Sequence, residues 1–358
     1  MTGGATTAMG RYPDTASMEK LLAGGASPGF AFVTNSPEGA YEFASGTYSD
    51  TDRREVGTHT PYDIASITKL FTTALILRLH DAGSLDLNDR MGRFLPRFAG
   101  SSITVTDMLT HRAALKSERL SVVAADFPDM EALAGRVSVP ASADEHFFYQ
   151  NATFLFLGIL ISKFLGKSIA ECMTDFISEL GLSETYIGSD PMLDAPPTEI
   201  RDGAVWVNRT HDESSYLCGG VTGYAGIFAS AGDLAKFGRA WLDFKIALPK
   251  TTNMAFTCRS NFPGEEQGLG WYNALPYFPI FPDWLFCHSG YTGPLLAVNP
   301  KAGRVYAMTL NRTYYGRGNQ LYRELWAWLL EHELREAMTM PAFIRRLELN
   351  LSRYANKN

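Results

Sequence analysis

The stretch from Tyr62 to Leu85, YDIASITKLFTTALILRLHDAGSL, decides how this chain is read. It sets Lys69 three residues after Ser66, just where a helical pattern begins. Leu70, Phe71, Ala74, Leu75, Ile76 and Leu77 make that pattern apolar nearly all round, as in a buried central helix. Gly83 stands where a glycine commonly ends a helix. Residues i and i+3 share a helix face, so Ser66 and Lys69 point into one pocket. A serine hydroxyl is a poor nucleophile until a base takes its proton. A lysine amine is such a base only when its pKa falls well below about 10.4. Burial and a nearby helix N-terminus both push it down, because both disfavour added positive charge.

Ser-x-x-Lys alone is a weak signal, expected roughly once or twice by chance in a chain this long. A second pair, Ser17 and Lys20, lies in a short polar segment where the lysine stays solvated and charged. The chain has 358 residues, 46% hydrophobic and 20% charged, with a net charge of −6. A sizeable core is therefore available, and wholesale disorder is excluded. No Lys/Arg cluster stands out, which argues against a nucleic-acid partner. The longest apolar run, FLFLGILI from Phe154, is too short to span a bilayer, so no membrane partner is expected. The N-terminal stretch lacks a basic start and an apolar h-region. The expectation is a cytoplasmic protein, unless an export signal has been trimmed. Cys172, Cys218, Cys258 and Cys287 lack metal or disulfide-framework spacing and read as buried thiols.

GFAFVTN and AYEFASGTYS flank the turn SPEG, a hairpin signature. Signals from Leu85 to Asn208 are mostly helical, including ITVTDMLTHRAAL, ATFLFLGILISKFLG and SIAECMTDFISELGL. LLAVNP and RVYAMTLN then flank NPKAG as a second hairpin. NQLYRELWAWLLEHELREAM reads as one amphipathic helix covering a sheet through Leu321, Leu325, Trp326, Leu329 and Leu330. The expected class is α+β. Residues 1–84 and 216–358 would form a mixed lobe with a central antiparallel sheet flanked by helices. Residues 85–215 would form an inserted, mostly helical lobe, with the active site in the cleft between the two.

Two further elements select Ser66 over Ser17. Tyr149-Gln150-Asn151 stands at the mouth of a helix, and His288-Ser289-Gly290 enters a strand; a decoy Tyr354-x-Asn356 lies in the polar tail. In the order Ser-x-x-Lys, Tyr-x-Asn, His-Ser-Gly, the sequence resembles the penicillin-recognising serine hydrolases. The branch it resembles holds class C β-lactamases, DD-peptidases and related esterases. ITVTDMLTHRAAL, HDESSYLCGGVTGYAGIFASAGDLAKF and HSGYTGPLLAVNP carry the likeness further along the chain.

The resemblance implies that Ser66 attacks a carbonyl and forms an acyl-enzyme. Lys69 and Tyr149 would share the proton work, and Asn151 would orient Lys69 and bind a substrate amide. It places the oxyanion hole at the backbone N–H groups of Ser66 and Tyr291. His288 stands where many relatives have lysine, and a largely neutral imidazole is a weaker anchor for a substrate carboxylate. Ser289 would donate a hydrogen bond to substrate. Arg312 either restores a carboxylate site or forms a surface salt bridge. Arg112-Ala113-Ala114, Tyr224 and Pro294 depart from the family pattern. The aromatic run WYNALPYFPIFPDWLF either roofs an acyl pocket or packs under a loop. His111 and His211 lack paired ligand spacing, so no metal is expected, and none of these features calls for a cofactor. His211-Asp212 reads as a structural corner.

The leading expectation is a metal-free serine hydrolase acting on small-molecule or peptide esters or amides: an esterase, amidase or D-amino-acid-type peptidase. The alternatives are an acyltransferase or peptide cyclase with the same nucleophile, a β-lactamase or DD-carboxypeptidase, and a sensor that acylates without turnover. The sequence does not specify an oligomeric state.

Overall fold

The computed structural model describes residues 15–116, 129–257, 267–273 and 284–338. Its helices are α1 (Thr15–Ala23), α2 (Thr68–Asp81), α3 (Val105–Leu109), α4 (Met130–Ala134), α5 (Asn151–Leu165), α6 (Ile169–Glu179), α7 (Glu213–Leu217), α8 (Ala231–Leu242), α9 (Pro249–Ala255), α10 (Tyr322–Leu329) and α11 (Glu331–Met338). Its strands are β1 (Gly29–Ser36), β2 (Gly39–Gly46), β3 (Tyr62–Asp63), β4 (Thr185–Ile187), β5 (Glu199–Arg201), β6 (Ala204–Trp206), β7 (Ile227–Ala229), β8 (Phe286–Ser289), β9 (Leu295–Asn299) and β10 (Arg304–Leu310). The class is α+β, as expected.

The main sheet runs β2-β1-β10-β9-β8 and is antiparallel throughout. Both expected hairpins are present in it. The first turns through Pro37 and Glu38, where the Glu38 N–H donates to Ser36 Oγ at 3.2 Å. The two ends of the chain meet at its centre, where Phe30 pairs with Leu310 and Asn35 with Val305. Successive strand residues face opposite sides, and here both sides are buried. Phe30 and Phe32 join Met18, Leu325, Trp326 and Leu329 beneath α1 and α10. Ala31 and Val33 face the larger core with Phe237 and Trp241 of α8.

Helix α2 runs through that larger core, buried except for Ser66 just before it and Arg78, His80 and Asp81 at its end. Phe71 stacks on Phe237 with centroids 4.0 Å apart. Gly83 adopts φ +71°. Its N–H donates to the His80 carbonyl while the Ser84 N–H reaches Leu79, so the helix closes in a Schellman turn.

The span read as mostly helical also contains strands. β4 joins β7 and β3 in a second sheet of order β3-β7-β4, and β5 pairs with β6. Three-residue strands are too short to show a period of two, which explains why the sequence pattern hid them. The ITVTDMLTHRAAL segment forms only the short α3, closed at its start by a Thr104–Asp107 capping box and ended by His111 at φ +53°. The single helix expected after Asn319 is two, α10 and α11, meeting at Leu330. Leu321 is 43% exposed and does not cover the sheet, whereas Leu325, Trp326, Leu329 and Leu330 do. Among the described residues no single helix is long and apolar enough to cross a membrane.

The break at Leu330 lets α11 bring Glu333, fully buried, onto the sheet. Its carboxylate accepts from Trp284 Nε1 at 2.9 Å, Asn299 Nδ2 at 2.8 Å, Tyr306 Oη at 2.8 Å and Arg304 Nη1 at 3.2 Å. Removing one member of such a cluster strands the others in the interior. Glu333→Ala is expected to lower the unfolding free energy by about 3–5 kcal/mol in urea titration, and Glu333→Gln by clearly less.

Candidate active site

The nucleophile turn starts at β3. Ile64 leads to Ala65, whose φ is +45°, a left-handed conformation that a side chain disfavours. Ser66 follows in the single 3₁₀ turn Ala65–Ile67, and α2 begins two residues later. Asp63, 1% exposed, holds this turn. Its Oδ1 accepts from the Ala65 N–H at 2.8 Å and its Oδ2 from the His211 N–H at 2.7 Å. Its carbonyl accepts from Thr292 Oγ1 at 2.6 Å. Burial raises the Asp63 pKa, opposed chiefly by the bond from the His211 N–H.

Lys69 is fully buried in the first turn of α2. Its Nζ lies 3.0 Å from Ser66 Oγ and 2.8 Å from Tyr149 Oη, and it donates to Asn151 Oδ1 at 3.0 Å and to the Tyr224 carbonyl at 3.4 Å. That carbonyl can approach because Gly223 has no side chain: a Cβ there would sit 2.1 Å from the Phe154 carbonyl oxygen. Burial pulls the Lys69 pKa down to about 7, opposed by the charge of Asp212.

Tyr149 and Asn151 flank Gln150, which stands at the N-cap position of α5 without a side-chain capping bond. The Tyr149 ring is 46% exposed while its hydroxyl points inward to Lys69. Burial pushes that hydroxyl above the ordinary phenol value, and the neighbouring Ser66 hydroxyl works the other way. The amine is thus the group of this pair that ionises near neutrality. His111 brackets Tyr149 from beneath. Its carbonyl accepts from the Phe148 N–H at 2.9 Å, and its Nδ1 accepts from the Gln150 N–H at 3.2 Å. Burial, then the charge of Lys69, keep His111 well below its usual pKa and hence neutral.

The third element comes from the end of β8. A Cβ on Gly290 would lie 2.5 Å from the Ile64 carbonyl oxygen, so only glycine lets this turn press against the nucleophile turn. The Gly290 N–H donates to Pro294 at 2.8 Å and the Gly293 N–H to Gly290 at 3.0 Å. The Tyr291 N–H donates to no described group, and Ser289 is half-buried. Arg312, 5% exposed, holds the loop in place. Its Nε donates to the Tyr291 carbonyl at 2.6 Å and its Nη1 to the carbonyls of Arg317 at 2.8 Å and Asn319 at 3.1 Å. Its guanidinium also lies 4.5 Å from the Tyr291 ring centroid. Neither sequence alternative for Arg312 describes this use: it is buried, and it pairs with carbonyl oxygens.

His288 is 1% exposed. Its Nδ1–H donates to the Ser289 carbonyl at 3.0 Å, leaving Nε2 bare, buried and without a partner among the described residues. Burial, and then the charge of Lys69, push its pKa down to about 3. The ring therefore stays neutral across the physiological range.

The structure thus gathers Ser66, Lys69, Tyr149 and Asn151 at one amine, with the His288–Tyr291 turn against the nucleophile. Ser17 and Lys20 are exposed on α1, and Tyr354-x-Asn356 lies outside the described residues. Of the aromatic run, Trp271 is core packing against Trp241, whereas Tyr272 stands 4.7 Å from the His288 ring and 6.2 Å from the Tyr149 ring. Residues 274–283 lie outside the described part. Among the departures, Ala114 takes φ +48° without the freedom of glycine, and Tyr224 is fully buried. His211 is the structural corner expected, held to Asp63 and, through Nε2, lying 3.1 Å from Glu199. Asp63 and His111 are the positioning residues that the sequence did not single out. Their only sequence cue is adjacency to the Ser66 motif and to MLTH. Among the described residues no group of three metal-ligating side chains occurs, and Cys172, Cys218 and Cys287 are free thiols.

This constellation sits within a wider similarity. The Beta-lactamase family model matches residues 15–327. An Escherichia coli (strain K12) protein provisionally named a D-alanyl-D-alanine carboxypeptidase is 25% identical over 309 residues, covering 72% of this chain and 70% of the relative. The class C beta-lactamase of Rhodobacter sphaeroides superposes with a TM-score of 0.70 at 20% identity, covering 89% of this chain and 99% of the other. The D-stereospecific amidohydrolase of a Streptomyces species gives a TM-score of 0.63 at 21% identity, covering 84% and 94%. With the family matched over most of its length, the chain belongs to the Beta-lactamase family and is a serine hydrolase of that acyl-enzyme type.

Proposed function

We propose that this protein hydrolyses esters or amides that carry no carboxylate beside the scissile bond, through an acyl-Ser66 intermediate. The observation that carries the reading is the buried Lys69 amine, 3.0 Å from Ser66 Oγ and held near neutrality. Neutral Lys69 takes the Ser66 proton as Oγ bonds to the carbonyl carbon. The oxygen that becomes negative is received by the backbone N–H groups of Ser66 and Tyr291, donors of a kind that each contribute about 3–4 kcal/mol to the transition state. Tyr149, kept protonated by its burial, passes its proton to the departing oxygen or nitrogen and recovers one from Lys69. Water then attacks the acyl carbon, and the same groups return the proton to Ser66.

Three features support substrates without a carboxylate. His288 is neutral and sealed inside, so it offers no charge to an anion. Arg312 is buried behind the Tyr291 loop and turns its Nε and Nη1 to carbonyl oxygens. Asp212, whose charge reaches Lys69, repels a second carboxylate. The Streptomyces amidohydrolase shares the fold and supports amides within the range of substrates.

Fluorophosphonate labelling and p-nitrophenyl butyrate turnover test the nucleophile. Ser66→Ala is expected to abolish both and Ser17→Ala to leave both intact; equal labelling of wild type and Ser66→Ala refutes the site. Because the base must be neutral, kcat/KM is expected to rise with pH through about 7 and then level off. A flat profile between pH 6 and 8 removes Lys69 from the base role.

The same amine bears on stability. Unfolding returns Lys69 to an ordinary pKa of about 10.4, so between pH 7 and 10 the unfolded state binds more protons and stability rises with pH. Lys69→Met is expected to inactivate the enzyme while stabilising it, on the order of a few kcal/mol at pH 7 and below. That gain should fade as pH approaches 10, as read by the melting temperature across pH.

A further inference from the structure

We propose that Glu199 is a positioning residue for the oxyanion hole: through His211 and Arg317 it fixes the spacing between the Ser66 and Tyr291 N–H groups. This rests on the acyl-Ser66 reading and adds to it the group that holds its two donors in place.

Glu199 lies on β5 and is 6% exposed. Its Oε2 accepts from Arg201 Nε at 2.5 Å, Arg317 Nη2 at 3.0 Å and His211 Nε2 at 3.1 Å. Its Oε1 accepts from Arg317 Nε at 2.6 Å. Burial alone would raise its pKa, but His211, Arg317 and Arg201 outweigh that and hold it below the ordinary carboxylate value. The carboxylate is therefore charged wherever the enzyme works.

Two chains of hydrogen bonds run from Glu199 to the reaction. The first passes through His211, which is gripped at three atoms. Glu199 takes its ring, Arg201 Nη2 donates to its carbonyl at 2.5 Å, and its N–H donates to Asp63 Oδ2 at 2.7 Å. The other oxygen of Asp63 accepts from the Ala65 N–H at 2.8 Å, one residue before Ser66. Ala65 at φ +45° is a conformation that the local chain does not favour, so the direction of the Ser66 N–H depends on that grip. The second chain passes through Arg317, whose guanidinium pairs with Glu199 and Glu213 and whose carbonyl accepts from Arg312 Nη1 at 2.8 Å. Arg312 Nε then holds the Tyr291 carbonyl at 2.6 Å. Beside Glu199, the Thr198 carbonyl accepts from Thr313 Oγ1 at 2.6 Å and ties the same two segments together. Glu199 is thus the point where the supports of both donors meet.

Oxyanion donors act at about 2.7–3.1 Å from the oxygen, and a misplacement of about 1 Å made far from the chemistry costs about a hundredfold. Glu199→Gln keeps the shape, removes the charge and turns an amide NH₂ toward groups that are themselves donors. The test compares p-nitrophenyl butyrate with its thiono analogue, in which sulfur replaces the carbonyl oxygen. Sulfur is larger and a weak acceptor. The ratio of the two kcat/KM values, oxygen over sulfur, therefore reports the fit of the hole and not the amount of folded enzyme. In Glu199→Gln this ratio is expected to fall by about tenfold, through kcat for the oxygen ester with KM little changed. The acid limb near pH 7 should stay in place, since Lys69 is untouched. Arg317→Gln alters a half-exposed side chain, is expected to lower the ratio likewise, and carries the test should Glu199→Gln fail to fold. Arg54→Gln, which breaks an exposed pairing with Asp52 and Asp194, should leave the ratio unchanged. An unchanged ratio in the Glu199 and Arg317 variants, a loss shared equally by the two esters, or a matching fall in Arg54→Gln overturns the proposal. Turnover that persists in Ser66→Ala sinks the acyl-Ser66 reading and this inference with it. Turnover lost in Ser66→Ala, with the ratio unaltered in the Glu199 and Arg317 variants, sinks this inference alone.

Discussion

The chemistry of this molecule depends on removing one lysine amine from water. Lys69 is placed by a helix that has almost no solvent-facing side, and its nearest oxygens are neutral: two hydroxyls, one amide and one carbonyl. Neutral acceptors solvate an ammonium less well than water does and far less well than a carboxylate. That balance leaves the amine basic enough to accept a proton and unprotonated often enough to do so. A direct ion pair would hold the proton permanently. Among the described residues, no carboxylate bonds directly to Lys69, and the charge of Asp212 acts on it without contact.

The second requirement is that three separate pieces of chain keep their positions against one another. The nucleophile turn, the start of α5 and the turn after β8 are joined by backbone-directed bonds from buried side chains. Asp63 fixes the first and ties it to Thr292, His111 fixes the second, and Arg312 fixes the third. The hydrogen bonds of the Asp63 and Arg312 side chains go to peptide groups, and His111 adds the Thr153 hydroxyl, 3.1 Å from its Nδ1, to the Gln150 N–H. This suits a site whose oxyanion donors are themselves peptide N–H groups.

Much of the architecture could be read directly from the residues. The all-apolar α2 with its closing Gly83, the SPEG hairpin and the late NPKAG hairpin follow from local periodicity and turn chemistry. The Ser66, Lys69, Tyr149 and Asn151 set was legible from order along the chain. What stayed hidden depends on distant partners. The three-residue strands around Thr185–Trp206 exist because β7 is there for β4 to pair with, or because a tight turn folds β5 on β6. The break at Leu330 has no glycine or proline to announce it, and it accompanies the seating of Glu333 against Trp284, Asn299 and Tyr306. Asp63 meets His211 across 148 residues, and no window of sequence joins them. The contacts of Arg312 stayed hidden for a related reason: its acceptors are carbonyls, which every residue has and no motif marks.

The pairing of Phe30 with Leu310 at the centre of the main sheet has a consequence for biosynthesis. A ribosome has made the nucleophile and its base long before it makes β10, which flanks β1 on its other edge, or the Gly290–Tyr291 turn that packs on Ile64. An incomplete nascent chain therefore carries the reactive serine without a framework to activate it. Catalytic competence arrives as a late event, coupled to closure of a sheet whose central contact spans most of the polypeptide, which also favours slow maturation.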